Sequence, residues 1–279
     1  MAGTLYVVAT PLGNLADLTA RAVATLRQVA VVAAEDTRRA RTLLTHVGAK
    51  PRVVSYHAHS RPAVQASLLR LLADGTDVAL VTDAGTPGIS DPGTGLVAAA
   101  RAAGIRVTPV PGASAVAAAL SAAGFPADRY LFLGFLPRAG RKRAELLEEA
   151  GRSPWTVVLF EAAPRLARLL HDLARVAGAE RRVVVAREIT KLHEELRHGT
   201  AMELAGYYAE APARGEVTLV LEGRGPGSPK SPGVDAEEAA EERARGLLSR
   251  GVSRRDVTQT LAQEFGWTRN DAYRFVSRL

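Results

Sequence analysis

Three short stretches of this 279-residue chain carry the residue types from which ligand-binding loops are made. Residues 82–93 read TDAGTPGISDPG, with three glycines, two prolines and two aspartates in twelve positions. Glycine lets backbone approach a bound molecule closely, and proline pre-sets the shape of a loop. A plain connecting turn needs two or three such residues, so a bias this long points to a binding loop. Residues 9–14 (ATPLGN) and 109–114 (PVPGAS) have the same character. Each of the three follows a short apolar run. In an open α/β sheet, ligands sit beyond the carboxyl ends of the strands, so three such loops can converge on one cleft.

Other motifs carry less. No G-x-x-x-x-G-K-[ST] occurs, which excludes a P-loop. Residues 93–98 (GTGLVA) match a G-x-G-x-x-A dinucleotide fingerprint, but they lie well past their strand and lack a well-placed acid on the next one, so the match is read as chance. His57 and His59, two apart, share one face if they are on a strand and could suit a metal. No third ligand is identifiable, and substrate contact or a surface position competes with that reading; no metal is expected. Trp155, Trp267 and the other aromatics are spread singly, so no base-stacking platform is visible. Trp267 is expected in the core of the C-terminal segment.

The elements around these loops alternate. Strands are expected at residues 5–9, 29–34, 52–56, 78–81 and 106–110, and helices at 17–28, 38–47, 62–73, 96–103 and 113–123. Repeated β–α units imply a mostly parallel sheet, because parallel strands need crossover connections. Beyond these the rhythm changes. Strands are expected at 130–134, 156–160, 183–187, 192–197 and 217–221, with helices at 141–150, 164–176 and 202–209. Only residues 188–191, with Ile189, Thr190 and Lys191 among them, separate two of those strands, too few for a helix, so at least one pair should be antiparallel. The expected fold class is α/β, as two α/β domains, 1–114 and 115–223, the second mixed. A Gly/Pro/Ser-rich linker follows at 224–235, then a helical, helix-turn-helix-like tail at 236–279. From Leu247 onward the tail has six arginines against three acids. A solvated basic face and direct nucleic-acid contact both fit that count.

The composition, 47% hydrophobic and 23% charged, is that of a folded globular chain, and no apolar run is long enough to cross a membrane. The N-terminus has no signal-peptide pattern, so a cytoplasmic location is expected. There is no cysteine, which rules out disulfides and thiolate metal sites. The net charge of +7 raises the prospect of a polyanionic partner. Only four basic residues are lysine, Lys50, Lys142, Lys191 and Lys230; the arginine and alanine excess also fits the codon bias of a GC-rich genome.

Seven motifs in order carry a family resemblance: ATPLGN, AEDTRR (34–39), VTDAGTPGISDPG, PVPGASA, GFLPR (134–138), AREITK (186–191) and GEVTLVLEG. The chain resembles the small-subunit ribosomal RNA methyltransferases of the tetrapyrrole methylase-like family over about residues 4–223, and its tail is similar to that group's C-terminal helix-turn-helix piece. The resemblance implies S-adenosylmethionine-dependent 2′-O-methylation of a cytidine ribose in the decoding centre of 16S rRNA. It also implies two α/β domains with the cofactor between them, usually as a homodimer. Cofactor contacts would fall on Pro11, Leu12, Asp83, Gly85, Ile89, Ser114 and Ala115, closed from the second domain by Phe135, Leu136, Val217 and Thr218. One departure is visible: residues 56–60 read YHAHS where the group tends to have Tyr-His-Glu-His-Asn. An acid at that position is not available here.

Methyl transfer is an in-line displacement, so an enzyme mainly aligns the reactants and excludes water. A ribose hydroxyl also needs a destination for its proton or stabilisation of its developing charge. Motifs just beyond strand ends offer Asp36, Glu188 and Lys191 for that role, and Arg38 and Arg39 to hold RNA phosphate. A structural Asp/Glu–Arg network is the competing reading. Three other functions compete with the whole assignment. A small-macrocycle methylase needs neither basic charge nor an appended tail. A non-enzymatic RNA-binding protein has no need of three Gly/Pro loops at strand ends. A nicotinamide oxidoreductase lacks its fingerprint at the first strand.

Overall fold

The structure, a computed structural model, describes residues 2–224, 232–265, 269–277 and 279. The first strands and helices are β1 (Thr4–Val8), α1 (Ala20–Gln28), β2 (Val31–Ala34), α2 (Thr37–Val47), β3 (Arg52–Ser55), α3 (Pro62–Ala73), β4 (Val78–Val81), α4 (Thr94–Ala102) and β5 (Arg106–Val110). The five strands form one sheet in the order β3-β2-β4-β1-β5, and every pair is parallel. β2 and β4 are apolar and buried at each position because helices cover both faces. Alternate residues serve opposite cores. Val32, Ala34, Ala79 and Val81 pack with residues of α1 and α2, while Val31, Ala33, Val78 and Leu80 pack with residues of α3 and α4. Since the strands all run the same way, their carboxyl ends share one edge of the sheet, and the loops that follow emerge side by side.

A second set follows: α5 (Ala115–Ala123), β6 (Tyr130–Phe135), α6 (Arg141–Arg152), β7 (Thr156–Ala162), α7 (Leu166–Ala177), β8 (Arg182–Arg187), β9 (Glu195–Thr200), α8 (Ala201–Glu210) and β10 (Glu216–Leu221). Its strand order is β6-β7-β10-β8-β9, with β6–β7 parallel and the other pairs antiparallel. One face packs Val157, Leu159, Val185 and Leu219 against the leucines of α7. The other packs Val158, Val184 and Val220 against Val116, Ala119 and Leu120 of α5. The α5 helix therefore belongs to the second core although it directly follows the last strand of the first sheet.

Two expected elements differ. The helix expected over 17–28 is a 3-10 turn at Leu15–Asp17 and then α1, because Asn14 and Thr19 each accept a backbone N–H, from Ala16 and Ala22, and so cap separate segments. The strand expected at 192–197 is β9, three residues later. Residues 188–194 form a turn instead, closed by Lys191 N–H to the Glu188 carbonyl (2.9 Å) and Glu194 N–H to the Lys191 carbonyl (3.1 Å).

In the tail, α9 (Pro232–Ser249), α10 (Arg254–Glu264) and α11 (Arg269–Val276) follow. The α9 helix starts inside the stretch expected as linker, in keeping with proline's tolerance of a first helical turn. Residues 225–231 of that stretch, and Trp267, lie outside the described residues. Ser253 caps α10 by accepting the Asp256 N–H (3.2 Å), as its sequence implies. Ala240, Ala244, Val257, Leu261, Ala272 and Val276 make the tail's own core. Among the described residues, no helix is long and apolar enough to cross a membrane.

Candidate active site

The Gly/Pro loops meet at the carboxyl edge of the first sheet and are tied together there. Thr10 and Gly85 exchange both backbone hydrogen bonds (2.8 and 3.0 Å), and the Thr10 hydroxyl donates to the Thr82 carbonyl (3.1 Å). The Thr86 hydroxyl donates to the Ala113 carbonyl (3.1 Å), joining the 82–93 loop to the 109–114 loop. The end of β2 joins them as well, because the Asp36 N–H donates to Asp83 Oδ1 (3.1 Å). A cleft of about 470 Å3 opens between these loops and the second sheet, within the usual span of small-molecule sites, roughly 300–1,000 Å3.

Of the residues expected at the cofactor, Leu12, Asp83, Gly85, Ile89, Ser114, Ala115, Phe135, Val217 and Thr218 all line this cleft. Pro11 and Leu136 are not in its wall. Phe135 ends β6 and lies 5.4 Å, ring to ring, from Phe160 in the cleft. Leu136, its neighbour, is buried in the core with Leu147 and Leu166, since successive residues of an extended chain face opposite ways. Of the two arginines expected to hold phosphate, Arg39 lines the cleft and reaches Asp83 (3.6 Å). Arg38 is exposed at the rim and pairs with Asp36 (2.8 Å).

The three residues expected to handle the proton sit outside the cleft wall. Asp36 caps α2 by accepting the Arg38 N–H (2.7 Å). Hydrogen bonds from the Arg38 side chain and backbone hold its carboxyl far below the ordinary carboxylate range. Lys191 Nζ bridges Glu188 Oε1 (3.0 Å) and Glu216 Oε2 (3.1 Å). Burial works against charge on both Lys191 and Glu188, but their mutual hydrogen bond and the contacts with Glu216 outweigh it. The lysine is therefore pushed up and the glutamate down, and both stay charged. The Lys191 stem crosses to the first sheet and lies over Gly13, where any side chain would collide with it. Ala9-Thr-Pro-Leu-Gly-Asn14 and the 186–191 motif, far apart in sequence, thus touch at the cleft mouth.

Four carboxylates in the cleft wall escaped the sequence reading: Glu35, Asp91, Glu161 and Glu216. Glu35 and Asp91 stand inside motifs already noted, so their signal was present; what was missing was which neighbour faces inward. Glu161 and Glu216 come from β7 and β10 and are marked only by the cleft. Glu161 is buried and paired with Arg165, which lies in the turn that follows β7. Burial, reinforced by Asp83, raises the Glu35 carboxyl. Burial, with the charges of Glu35, Asp83 and Glu216, carries Asp91 up to about 6. His57 and His59 sit in the turn after β3, where the His59 N–H donates to His57 Nδ1 (3.1 Å). No group of three possible metal ligands gathers among the described residues.

A parallel sheet with its ligand loops at one edge, facing a mixed sheet across an acidic cleft, defines a methylase architecture. Residues 4–205 match the family described as Tetrapyrrole (Corrin/Porphyrin) Methylases, and the chain belongs to it. Solved structures of the same fold include a cobalt precorrin-4 methyltransferase of cobalamin biosynthesis, TM-score 0.60 at 19% identity over 78% of this chain and 94% of that one. A Thermus thermophilus uroporphyrin-III C-methyltransferase complexed with S-adenosylhomocysteine is another, TM-score 0.58 at 20% identity over 79% and 97%. Sequence relatives are more specific. A Synechocystis protein named ribosomal RNA small subunit methyltransferase I is 43% identical over 99% of this chain and 98% of its own. A Haemophilus influenzae protein of the same name is 39% identical over 99% and 96%, and one from Xylella fastidiosa is 47% identical over 79% and 82%.

Proposed function

We propose that this chain is an S-adenosylmethionine-dependent methyltransferase of ribosomal RNA, and that its target is the ribose 2′-hydroxyl of a cytidine in 16S rRNA of the small subunit. The observation that carries the first part is the charge and shape of the cleft. Five carboxylates, Glu35, Asp83, Asp91, Glu161 and Glu216, line it with one arginine, Arg39. That donor set fits a ligand carrying a sulfonium and an ammonium. Its apolar walls, Leu12, Ile89, Phe135, Phe160 and Val217, fit a flat nucleobase. Ser114 and Ala115, at the start of α5, line the same space, and the unpaired N–H groups of a helix start suit a carboxylate.

When bound, S-adenosylmethionine supplies an electrophilic methyl group. The protein's part is alignment and exclusion of water. Phe135 and Val217 close the cleft from the second sheet, and Lys191, kept charged between Glu188 and Glu216, stabilises negative charge developing on the ribose oxygen. Arg38 and Arg39 approach the RNA backbone from the rim. The near full-length relatives support RNA as the acceptor; a homodimer and a cytoplasmic location belong to the same reading. A tetrapyrrole acceptor is disfavoured, because a small macrocycle needs neither the net charge of +7 nor an appended helical tail with its own core.

The test is methyl transfer from labelled S-adenosylmethionine to unmethylated small subunits, naked 16S rRNA and uroporphyrinogen in parallel. Label on one cytidine ribose in the subunit, one per particle, is the expected result. Label on uroporphyrinogen alone, or on a base rather than a ribose, overturns the reading. Sedimentation equilibrium tests the dimer.

A further inference from the structure

Asp91 is at the end of the 82–93 loop, in the cleft wall, where so far it counts only as one of five carboxylates that suit a cationic ligand. Its placement is enforced. Ser90, the residue before it, has φ +61, a left-handed conformation that a residue with a side chain adopts only under constraint. The constraint is visible on the opposite sheet. Ser90 packs against Gly134 of β6, where an added Cβ would lie 2.7 Å from the serine Oγ, so the left-handed glycine makes room for the strained serine. A strained turn clamped from across the cleft therefore sets the direction of the next side chain.

The groups facing Asp91 are mostly of its own sign. Glu35 comes from the end of β2, Asp83 from the end of β4, Glu216 from β10 and Glu161 from β7, while Arg39 of α2 is drawn to Asp83 and His57 acts on Glu35. Among the cleft carboxylates, Glu35 feels Arg39 and His57, Glu216 holds Lys191, and Glu161 holds Arg165. After burial, the strongest influence on Asp91 is the charge of Glu35; the Thr82 hydroxyl works the other way, and Asp83 and Glu216 add to the rise. Burial raises both Glu35 and Asp91, but Arg39 and His57 offset the rise at Glu35, whereas the charges acting on Asp91 are carboxylates.

We propose that Asp91 is the general base that accepts the proton of the ribose hydroxyl, a catalytic residue for the methyl transfer; this rests on the RNA 2′-O-methylation reading above. The proton leaves the 2′ oxygen for the Asp91 carboxylate as that oxygen forms its bond to the methyl carbon. The electron pair of the broken carbon–sulfur bond stays on sulfur. The products are methylated ribose, S-adenosylhomocysteine and protonated Asp91, which returns its proton to solvent. An acceptor near neutrality suits the task, because a carboxyl of ordinary acidity holds a proton too weakly. Lys191, held charged by Glu188, then serves charge stabilisation, and the proton goes elsewhere.

The experiment has an arm that needs no turnover. Carboxyl 13C NMR of the protein alone should show one aspartate titrating near pH 6 that vanishes in Asp91→Asn. In the second arm, wild-type kcat/KM on small subunits should rise with pH through the same region. Asp91→Asn should lower kcat by roughly 10²–10⁴ while S-adenosylhomocysteine affinity stays within a few fold, with partial recovery in Asp91→Glu. An Asp91 signal titrating near 4, a flat wild-type profile, or full kcat in Asp91→Asn each overturns the assignment. A rise in rate that disappears only in Glu35→Gln assigns the base to Glu35 and overturns it as well. If wild type binds S-adenosylhomocysteine but methylates no ribose, the RNA reading fails first and takes this proposal with it.

Discussion

At the scale of single residues, this cleft sets like charges together where stability alone would separate them. The consequence for Asp91 can be signed. A carboxyl raised in the folded protein favours folding while it is protonated, and that contribution is lost as pH rises through about 6. Asp91→Asn is therefore expected to raise Tm at pH 7.5 and to leave it little changed at pH 3, below the ordinary aspartate value of 3.8, the pattern of a site that trades stability for function. Thermal melts at the two pH values check it; an equal shift at both would point to packing rather than charge. Lys191 has the opposite role, a fixed cation between two carboxylates. Lys191→Ala is expected to lower kcat by about 10²-fold, the usual effect of removing one electrostatic stabiliser. If both Lys191→Ala and Glu188→Ala keep full turnover with normal cofactor binding, this pair is structural.

Elements show why some positions could be read directly and others not. The buried run of β4 (VALV) and the Asp36 and Gly48 boundaries of α2 follow from local chemistry, since one is apolar throughout and the others are a side-chain cap and a left-handed glycine. The same local logic makes a prediction for α8. Thr200 accepts the Glu203 N–H (3.2 Å), and Glu203 accepts the Thr200 N–H (2.9 Å), a reciprocal capping box. Thr200→Ala is expected to cost about 1 kcal/mol, measured by denaturant unfolding, with no change in cofactor affinity. The 188–194 turn shows the limit. Glu188 and Thr190 have φ of +51 and +69, which β-propensity does not foresee, and the turn displaces the next strand by three residues. What holds these values is contact with other elements, Glu216 through its backbone and Gly13 through the lysine stem.

For the whole molecule, the tail behaves as an addition. Among the described residues its buried side chains form their own cluster, and Arg243 of α9 ties to Glu264 of α10 (2.9 Å) within it. Truncation after Arg224 is expected to leave S-adenosylmethionine affinity unchanged. It should weaken binding to small subunits and reduce the dependence of that binding on salt, as fewer phosphate contacts release fewer counterions. Unchanged RNA affinity across salt concentrations would assign the tail a different role. The sequence by itself determined the parallel first sheet, the change to a mixed second one, the three ligand loops and the family, because periodicity, turn residues and ordered motifs are all encoded locally. Tertiary structure alone decided that Glu35 rather than Asp36 lines the cleft, that Leu136 turns into the core, and that Glu161 and Glu216 line the cleft with Asp91. Direction and charge environment depend on which strands lie opposite, and no local pattern carries that.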